Sequence, residues 1–164
     1  DIAFNRDDYQ TAIGYFEQAV AINPASRYGQ SGIAAALSRL GDPEAGQALA
    51  DLFQSAPNLL DLAAVGKPQV LPLDFDTVYI SQIEANAGDT ISASAESVEA
   101  GRLDTAIVVL ANGQVVAFAD NTNDFDAVLD GVVATKSGDY TVLIGLLDLT
   151  SGDARLAVRV TPGG

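Results

Sequence analysis

Apolar residues in the first third of the chain recur at intervals of three and four, the spacing of one face of a helix. Three such groups predict three amphipathic helices. The groups are Ala12, Ile13, Phe16, Ala19 and Val20; Ile33, Ala34, Leu37 and Leu40; and Ala45, Ala48, Leu49, Leu52 and Phe53. Pro24, Pro43 and Pro57 mark the breaks that end or start these helices. A further apolar run over residues 59–65 predicts a short closing helix.

The pattern changes near residue 66, where apolar and polar residues begin to alternate. Over Asp89 to Glu96 the apolar residues occupy every second position, which is the period of a half-buried strand. Asn112 and Gly113 separate two apolar runs and indicate a tight hairpin. About eight short strands without intervening helices are typical of an antiparallel β-sandwich. We therefore expect an α+β multidomain chain, with a helical segment over residues 1–66 and the sandwich over residues 67–164, joined through a proline-containing linker at about 64–72.

An internal repeat is present in the helical part. Ala12, Phe16, Ala19 and Pro24 show the spacing A-x3-F-x2-A-x4-P, and the same spacing returns 33 residues later at Ala45, Leu49, Leu52 and Pro57. Residues 5–58 resemble the tetratricopeptide repeat, a helical hairpin that stacks in arrays. Only one and a half repeats are visible, whereas such arrays need about three to bury a continuous core. The resemblance therefore implies a helical segment truncated at its N-terminus, with its first helix left for another surface to cover.

The side of the first helix that would lack a neighbour is the predicted partner-binding face. Burial of several apolar side chains there is worth several kcal/mol, at about 25 cal/mol per Å². A missing upstream repeat, a partner chain or the second half of this protein could each cover it. The residues assigned to this face are Tyr9, Ile13, Phe16 and Val20. Packing between helices is the alternative role for Tyr9.

Six short motifs occur in order through the second part of the chain. They are Ala87-Gly88-Asp89-Thr90, Leu103-Asp104-Thr105, Asn112-Gly113, Ala119-Asp120-Asn121, Asp126-Ala127-Val128-Leu129 and Ser137-Gly138-Asp139-Tyr140-Thr141-Val142. Together they make residues 69–161 similar to the bacterial pre-peptidase C-terminal domain. This resemblance implies a jelly-roll-like sandwich that is accessory and non-catalytic, located outside the cytoplasm of a bacterium, and that binds surfaces or partners or assists secretion.

Composition excludes several classes of chemistry. The chain has no His, Cys, Met or Trp, so it cannot form a thiol nucleophile, a Ser-His-Asp relay, a disulfide, or a zinc or haem site of the usual ligand types. Eight basic against 22 acidic residues give a net charge of −14, which opposes nucleic acid and anionic membranes as partners. No run approaches the roughly 18 apolar residues of a membrane-spanning segment. Paired carboxylates of the glycosidase type need an apolar pocket, and the candidate acids lie in segments with an exposed pattern. We therefore expect no enzymatic activity.

Oxygen ligands for calcium are the remaining candidate chemistry. The acidic segment 120–126 is rich in Asp and Asn, and calcium takes about six to eight oxygens. Some members of the family that this domain resembles bind calcium, so Asp104, Asp120 and Asp126 are the predicted ligands. An EF-hand does not fit, because Phe125 stands where that loop needs glycine. The alternative is a solvated loop whose Asp and Asn side chains bind their own backbone.

These observations favour a non-enzymatic extracytoplasmic module for protein–protein interaction or scaffolding in a bacterial envelope or secreted assembly. Two alternatives remain open. The chain could be the accessory domain of a larger exported enzyme such as a peptidase, or a self-associating subunit of a surface layer or filament. The expected partner is accordingly another protein or a second copy of this chain.

Overall fold

The computed structural model describes residues 8–62, 65–120 and 125–164. The chain forms two compact units, Asp1–Ser55 and Ala56–Gly164. Pairing of residues 58–61 with a strand of the second unit assigns them to that unit. The predicted domain ranges, 1–66 and 67–164, remain a prediction.

Three helices make up the described part of the first unit, as the sequence predicts. They are α1 (Tyr9–Ile22), α2 (Arg27–Leu40) and α3 (Ala45–Gln54). Ser26 begins α2, since its hydroxyl accepts a hydrogen bond from the Gly29 backbone N–H at 3.2 Å. Gly41 ends the same helix in a left-handed conformation (φ 69°), which glycine adopts without steric cost.

Neighbouring helices run antiparallel and approach closely. On α1, Phe16 lies against Gly32 and Val20 lies against Gly29, so the two helices meet where α2 has no side chain. Arg27, at the start of α2, donates hydrogen bonds to the Leu52 carbonyl (2.7 Å) and the Ser55 hydroxyl (3.1 Å) at the end of α3. A cation at this position complements the negative end of the helix dipole. The resemblance to tetratricopeptide repeats remains a prediction.

Nine strands form two sheets in the described part of the second unit. The strands are β1 (Asn58–Asp61), β2 (Gln69–Asp74), β3 (Thr77–Ala85), β4 (Thr90–Ser97), β5 (Thr105–Ala111), β6 (Gln114–Asp120), β7 (Ala127–Val133), β8 (Gly138–Leu146) and β9 (Ser151–Thr161). One sheet has the order β1-β3-β8-β5-β6 and the other β2-β9-β4-β7. Strand pairs are antiparallel except β1 with β3, which is parallel.

The two sheets share one hydrophobic core, and this confirms the predicted α+β class with a β-sandwich. Ile91, Ala93 and Ala95 of β4 are buried in that core, as their alternation predicts. The predicted hairpin is also present, because Asn112 and Gly113 connect β5 to β6 and both have positive φ angles (51° and 75°).

The predicted closing helix at 59–65 is wrong. Residues 58–61 are strand β1, held beside β3 by backbone bonds from Asn58 N–H to the Asp76 carbonyl and from Leu62 N–H to the Ile80 carbonyl. The apolar run is too short for its spacing to distinguish a helix from a strand, and the unpaired edge of β3 supplies hydrogen bonds for an extended chain. Ala63, which falls within the predicted range 59–65, lies outside the described residues.

Candidate binding groove

A groove of about 400 Å³ lies on the outer face of the four-stranded sheet. Its lining is Gly66, Pro68, Ser92, Ala93, Ser94, Glu96, Val128, Leu129, Asp130, Arg155, Ala157, Val158, Arg159 and Thr161. Strands β4 and β9 form its floor, β7 flanks it on one side, and residues 66–68 flank it on the other. The groove is therefore built mainly on strands of a packed sheet, which hold their side chains in fixed positions.

The strand period explains which side chains reach the groove. Ala93 and Ala95 point to the core, so Ser92, Ser94 and Glu96 between and beside them face outward and are half-buried. The same alternation on β9 buries Leu156 and Val158 and turns Arg155, Ala157 and Arg159 outward. The same alternation therefore directs apolar side chains into the core and mostly polar side chains into the groove.

Strand register sets the side chains opposite one another. Glu96 of β4 lies opposite Arg155 of β9, Ser94 opposite Ala157, and Ser92 opposite Arg159. The hydroxyl of Ser92 also donates a hydrogen bond of 3.0 Å to Asp130 of β7. The side chains at the centre of the floor are small, which creates the depression. Charged side chains lie at both of its ends.

The flank at residues 66–68 is anchored by the backbone. Gly66 donates its N–H to the Val158 carbonyl at 2.7 Å, which continues the β2 side of β9 beyond the end of β2. Gly66 and Pro68 line the groove, and the exposed Lys67 lies between them. This segment adds a third cation to the neighbourhood of Arg155 and Arg159.

Both groove arginines are exposed. Neither guanidinium lies within ion-pair distance of a carboxylate in the part of the chain that the structure describes. Arginine presents a planar set of donors that matches a carboxylate with two parallel hydrogen bonds. The two side chains can therefore accept anionic groups of a ligand.

A buried carboxylate near the Thr161 end of the groove fixes the chain after β9. Asp89 accepts hydrogen bonds from the backbone N–H groups of Gly163 (2.9 Å) and Asn86 (2.8 Å). The Gly163 and Asn86 amides hold the pKa of Asp89 below its ordinary value of 3.8, because they stabilise the charged form. Elsewhere, burial and the nearby charge of Asp74 raise the pKa of the Tyr79 hydroxyl, which donates to the Pro72 carbonyl.

The predicted partner-binding residues lie on α1, in the other unit. Tyr9 is buried, with 7% of its surface exposed, and Ile13, Phe16 and Val20 are half-buried. Phe16 and Val20 pack on α2, and the Phe16 ring meets the Tyr28 ring edge-on with centroids 6.2 Å apart. The exposed large apolar side chains of α1 are instead Tyr15 (59%) and Ile22 (87%). That a partner covers this face stays a prediction.

The predicted calcium ligands lie at one end of the sandwich. Asp104 directly precedes β5, Asp120 ends β6 opposite Ala106, and Asp126 directly precedes β7. Asp126 accepts a 2.8 Å hydrogen bond from the Ser97 backbone N–H. Among residues 8–62, 65–120 and 125–164, no three acidic side chains are grouped so that they could hold a metal ion. The oxygen-rich residues 121–124 lie outside the described residues, and calcium binding stays a prediction.

Sequence reasoning missed the groove and its arginines. The alternation around Arg159 shows an outward-facing position, but it does not show which residues of β4 lie opposite. Arg155 and Glu96 become neighbours only through the pairing of two strands that are far apart in sequence. Two cations on one strand face, in a chain with only eight basic residues, are the signal that could have found the site.

No helix in the described part of the chain is long and apolar enough to cross a membrane. Comparison with protein-family models found none that matches, and comparison with curated proteins found no match either.

Three solved structures similar to this chain are bacterial. The pre-peptidase C-terminal domain of a collagenase from Bacillus anthracis is 13% identical, with coverage of 62% of this chain and 92% of that domain and a TM-score of 0.46. PliG of Aeromonas hydrophila, a periplasmic inhibitor of g-type lysozyme, is 11% identical, with coverage of 62% and 96% and a TM-score of 0.42. PliG of Salmonella Typhimurium, another such inhibitor, is 8% identical, with coverage of 63% and 99% and a TM-score of 0.37. The first of the three belongs to the family that residues 69–161 resemble.

Proposed function

We propose that this chain is a non-enzymatic interaction module that holds a protein partner in an envelope or secreted assembly of a bacterium. The observation that carries the proposal is the groove on the outer face of the four-stranded sheet. Its floor of small side chains with charged groups at both ends combines contact area with orientation, as binding sites do. The motifs of residues 69–161 support the extracytoplasmic location.

The groove suits docking because its parts are already in place. Ser92, Ser94, Arg155 and Arg159 stand on paired strands, and the Ser92 hydroxyl is oriented by its bond to Asp130. A partner that binds there need not order a loop, so little of the binding free energy goes into ordering this chain. Contacts in the groove then depend on the partner's shape and charge.

Site-specific crosslinking tests this proposal, because the chain has no cysteine and any introduced thiol is unique. A benzophenone crosslinker attached to the thiol of Ser94→Cys lies in the groove. The matched control carries the same crosslinker on Val116→Cys, on the exposed side of edge strand β6. We expect Ser94→Cys to form a discrete adduct in envelope extract of the source bacterium, competed by excess unlabelled chain. If the two positions form the crosslinked adduct in equal yield, or if Ser94→Cys forms none, the groove is not a partner site.

A further inference from the structure

Cationic side chains gather at the groove in an otherwise acidic chain. Of the eight basic residues, Arg27 binds the end of α3 and Arg102 pairs with Glu99, whereas Arg155, Arg159 and Lys67 stand at or beside the groove. Both arginines are exposed, and no described carboxylate lies within ion-pair distance of either. With Glu96 and Asp130 counted against Lys67, Arg155 and Arg159, this face is close to neutral, whereas the whole chain has a net charge of −14.

Two carboxylates in the groove limit which anions fit. Glu96 lies opposite Arg155, and Asp130 accepts the hydrogen bond of Ser92, the residue opposite Arg159. A continuous polyanion such as nucleic acid or a sulfated polysaccharide would place negative charge against both acids. A ligand with a few separate carboxylates can meet the arginines and avoid Glu96 and Asp130.

The spacing of the arginines fits an extended polypeptide. Arg155 and Arg159 are four residues apart on one strand, so their Cα atoms are separated by about 13 Å, and an extended peptide covers that distance in four residues. Ala157 and Ser94 lie between them and leave room for small side chains. We infer that the groove takes an extended acidic segment of a partner protein, with one carboxylate on Arg155 and a second on Arg159. This inference rests on the proposed function and adds the chemistry of the partner.

The net charge of the molecule does not prevent such binding at physiological salt. Charges separated by more than about 8 Å are largely screened there, so the arginines within reach of the ligand dominate over distant acids. Binding should weaken as salt rises, because exposed ion pairs are screened in the same way. The salt dependence thus gives the experiment an independent readout.

NMR titration of the ¹⁵N-labelled full chain is the test. The probe is the peptide acetyl-Gly-Asp-Ala-Ser-Ala-Asp-Gly-amide, and its control carries Asn in place of both Asp residues. The protein variants are Arg155→Gln and Arg159→Gln, with Arg39→Gln on α2 as a control that makes the same change in net charge at another exposed arginine. Unchanged amide spectra outside the substituted residues show that each variant is folded.

We expect the acidic peptide to shift amides of residues 92–96 and 155–159, and to bind about tenfold more tightly than the Asn peptide. Arg155→Gln and Arg159→Gln should each weaken binding by about threefold to fivefold, and Arg39→Gln should leave it unchanged. Equal binding of the two peptides, or tighter Arg-dependent binding of heparin than of the acidic peptide, would overturn the inference.

Failure of this inference and failure of the proposed function give different results. If neither peptide shifts the groove amides while Ser94→Cys still crosslinks a partner, the groove binds a protein by other chemistry and only the inference is wrong. If Ser94→Cys also yields no adduct, the groove is not a partner site, and both the inference and the proposed function are wrong.

Discussion

At the scale of single residues, the contact between α1 and α2 depends on the missing side chain of Gly32. A Cβ atom there would lie 2.5 Å from the ring of Phe16, far inside van der Waals contact. We expect Gly32→Ala to lower the free energy of unfolding by about 1–2 kcal/mol, because overpacking outweighs the gain in helix propensity. Urea denaturation followed by circular dichroism at 222 nm measures this change.

Gly14 supplies the control for that substitution. A Cβ atom at Gly14 meets nothing within 4 Å, although this residue also lies inside a helix. Gly14→Ala should therefore raise stability by about 0.5–1 kcal/mol through helix propensity alone. If both substitutions stabilise the chain, the close approach of the Phe16 ring to α2 is not a feature of the protein in solution.

The hydrogen bonds of the Asp89 carboxylate predict that the stability of the fold falls in acid. Its pKa lies below 3.8 in the fold because the Gly163 and Asn86 amides stabilise the carboxylate, so the unfolded chain takes up the proton first as the pH falls. The stability that these bonds contribute is present at neutral pH and is lost as the pH drops below about 4. The gap in melting temperature between the natural chain and Asp89→Asn should therefore narrow in acid.

Melting scans between pH 2 and pH 7 measure that gap. Asp139→Asn, at an exposed position of β8, makes the same change in net charge and corrects for the general effect of charge on stability. A gap for Asp89→Asn that stays constant over the whole range would show that the Gly163 and Asn86 amides do not hold the charged carboxylate.

The sequence predicts which residues face the core better than it predicts the site. Alternation over 89–96 correctly turns Ile91 inward and Ser92 and Ser94 outward. The charged pairs of the groove depend on strand register, and the register between β4 and β9 is fixed by contacts that no local pattern records. Arg159 therefore reads as ordinary strand surface until Ser92 and Asp130 are seen near it.

At the scale of elements, one threonine joins three strands from both sheets. The buried hydroxyl of Thr105, at the start of β5, donates to the Ala95 carbonyl of β4 at 2.7 Å. It also accepts the backbone N–H of Ala127, at the start of β7, at 2.8 Å. This side chain thus fixes the end of the sandwich where Asp104 and Asp126 lie.

Thr105→Val tests that connection with almost no change in volume. The substitution leaves the buried Ala127 N–H and Ala95 carbonyl without this partner, and we expect a loss of about 1–3 kcal/mol in unfolding free energy. Thr105→Ser keeps the hydroxyl and should recover most of the loss. If Thr105→Val is as stable as the natural chain in chemical denaturation and only Thr105→Ser is destabilised, the methyl group, and not the hydrogen bonds, matters at this position.

The sequence predicts the type of an element correctly where its pattern is long, and the prediction fails where the pattern is short. Three helices of ten or more residues and the strands of the sandwich carry enough repeats of their period to be recognised. Strand β1 has four residues, and its adjacent Leu59 and Leu60 fit either period. Its identity comes from the free edge of β3, a tertiary feature that outweighs local propensity.

At the scale of the whole molecule, the excess of acidic residues makes stability depend on ions. A net charge of −14 destabilises the compact state through self-repulsion, and added salt screens that repulsion. We expect the melting temperature to rise between 20 mM and 500 mM NaCl. Binding of the acidic peptide in the groove should weaken over the same range, because there the salt screens an attraction.

Calcium binding, predicted from the sequence, can be separated from this general effect of salt. A calcium site at Asp104, Asp120 and Asp126 would bind the folded state alone, so millimolar CaCl₂ should raise the melting temperature more than NaCl of equal ionic strength does. Asp104→Asn should abolish the additional rise, whereas Asp139→Asn should keep it. If CaCl₂ and NaCl have the same effect at equal ionic strength, screening accounts for the whole response and the three carboxylates do not form a calcium site.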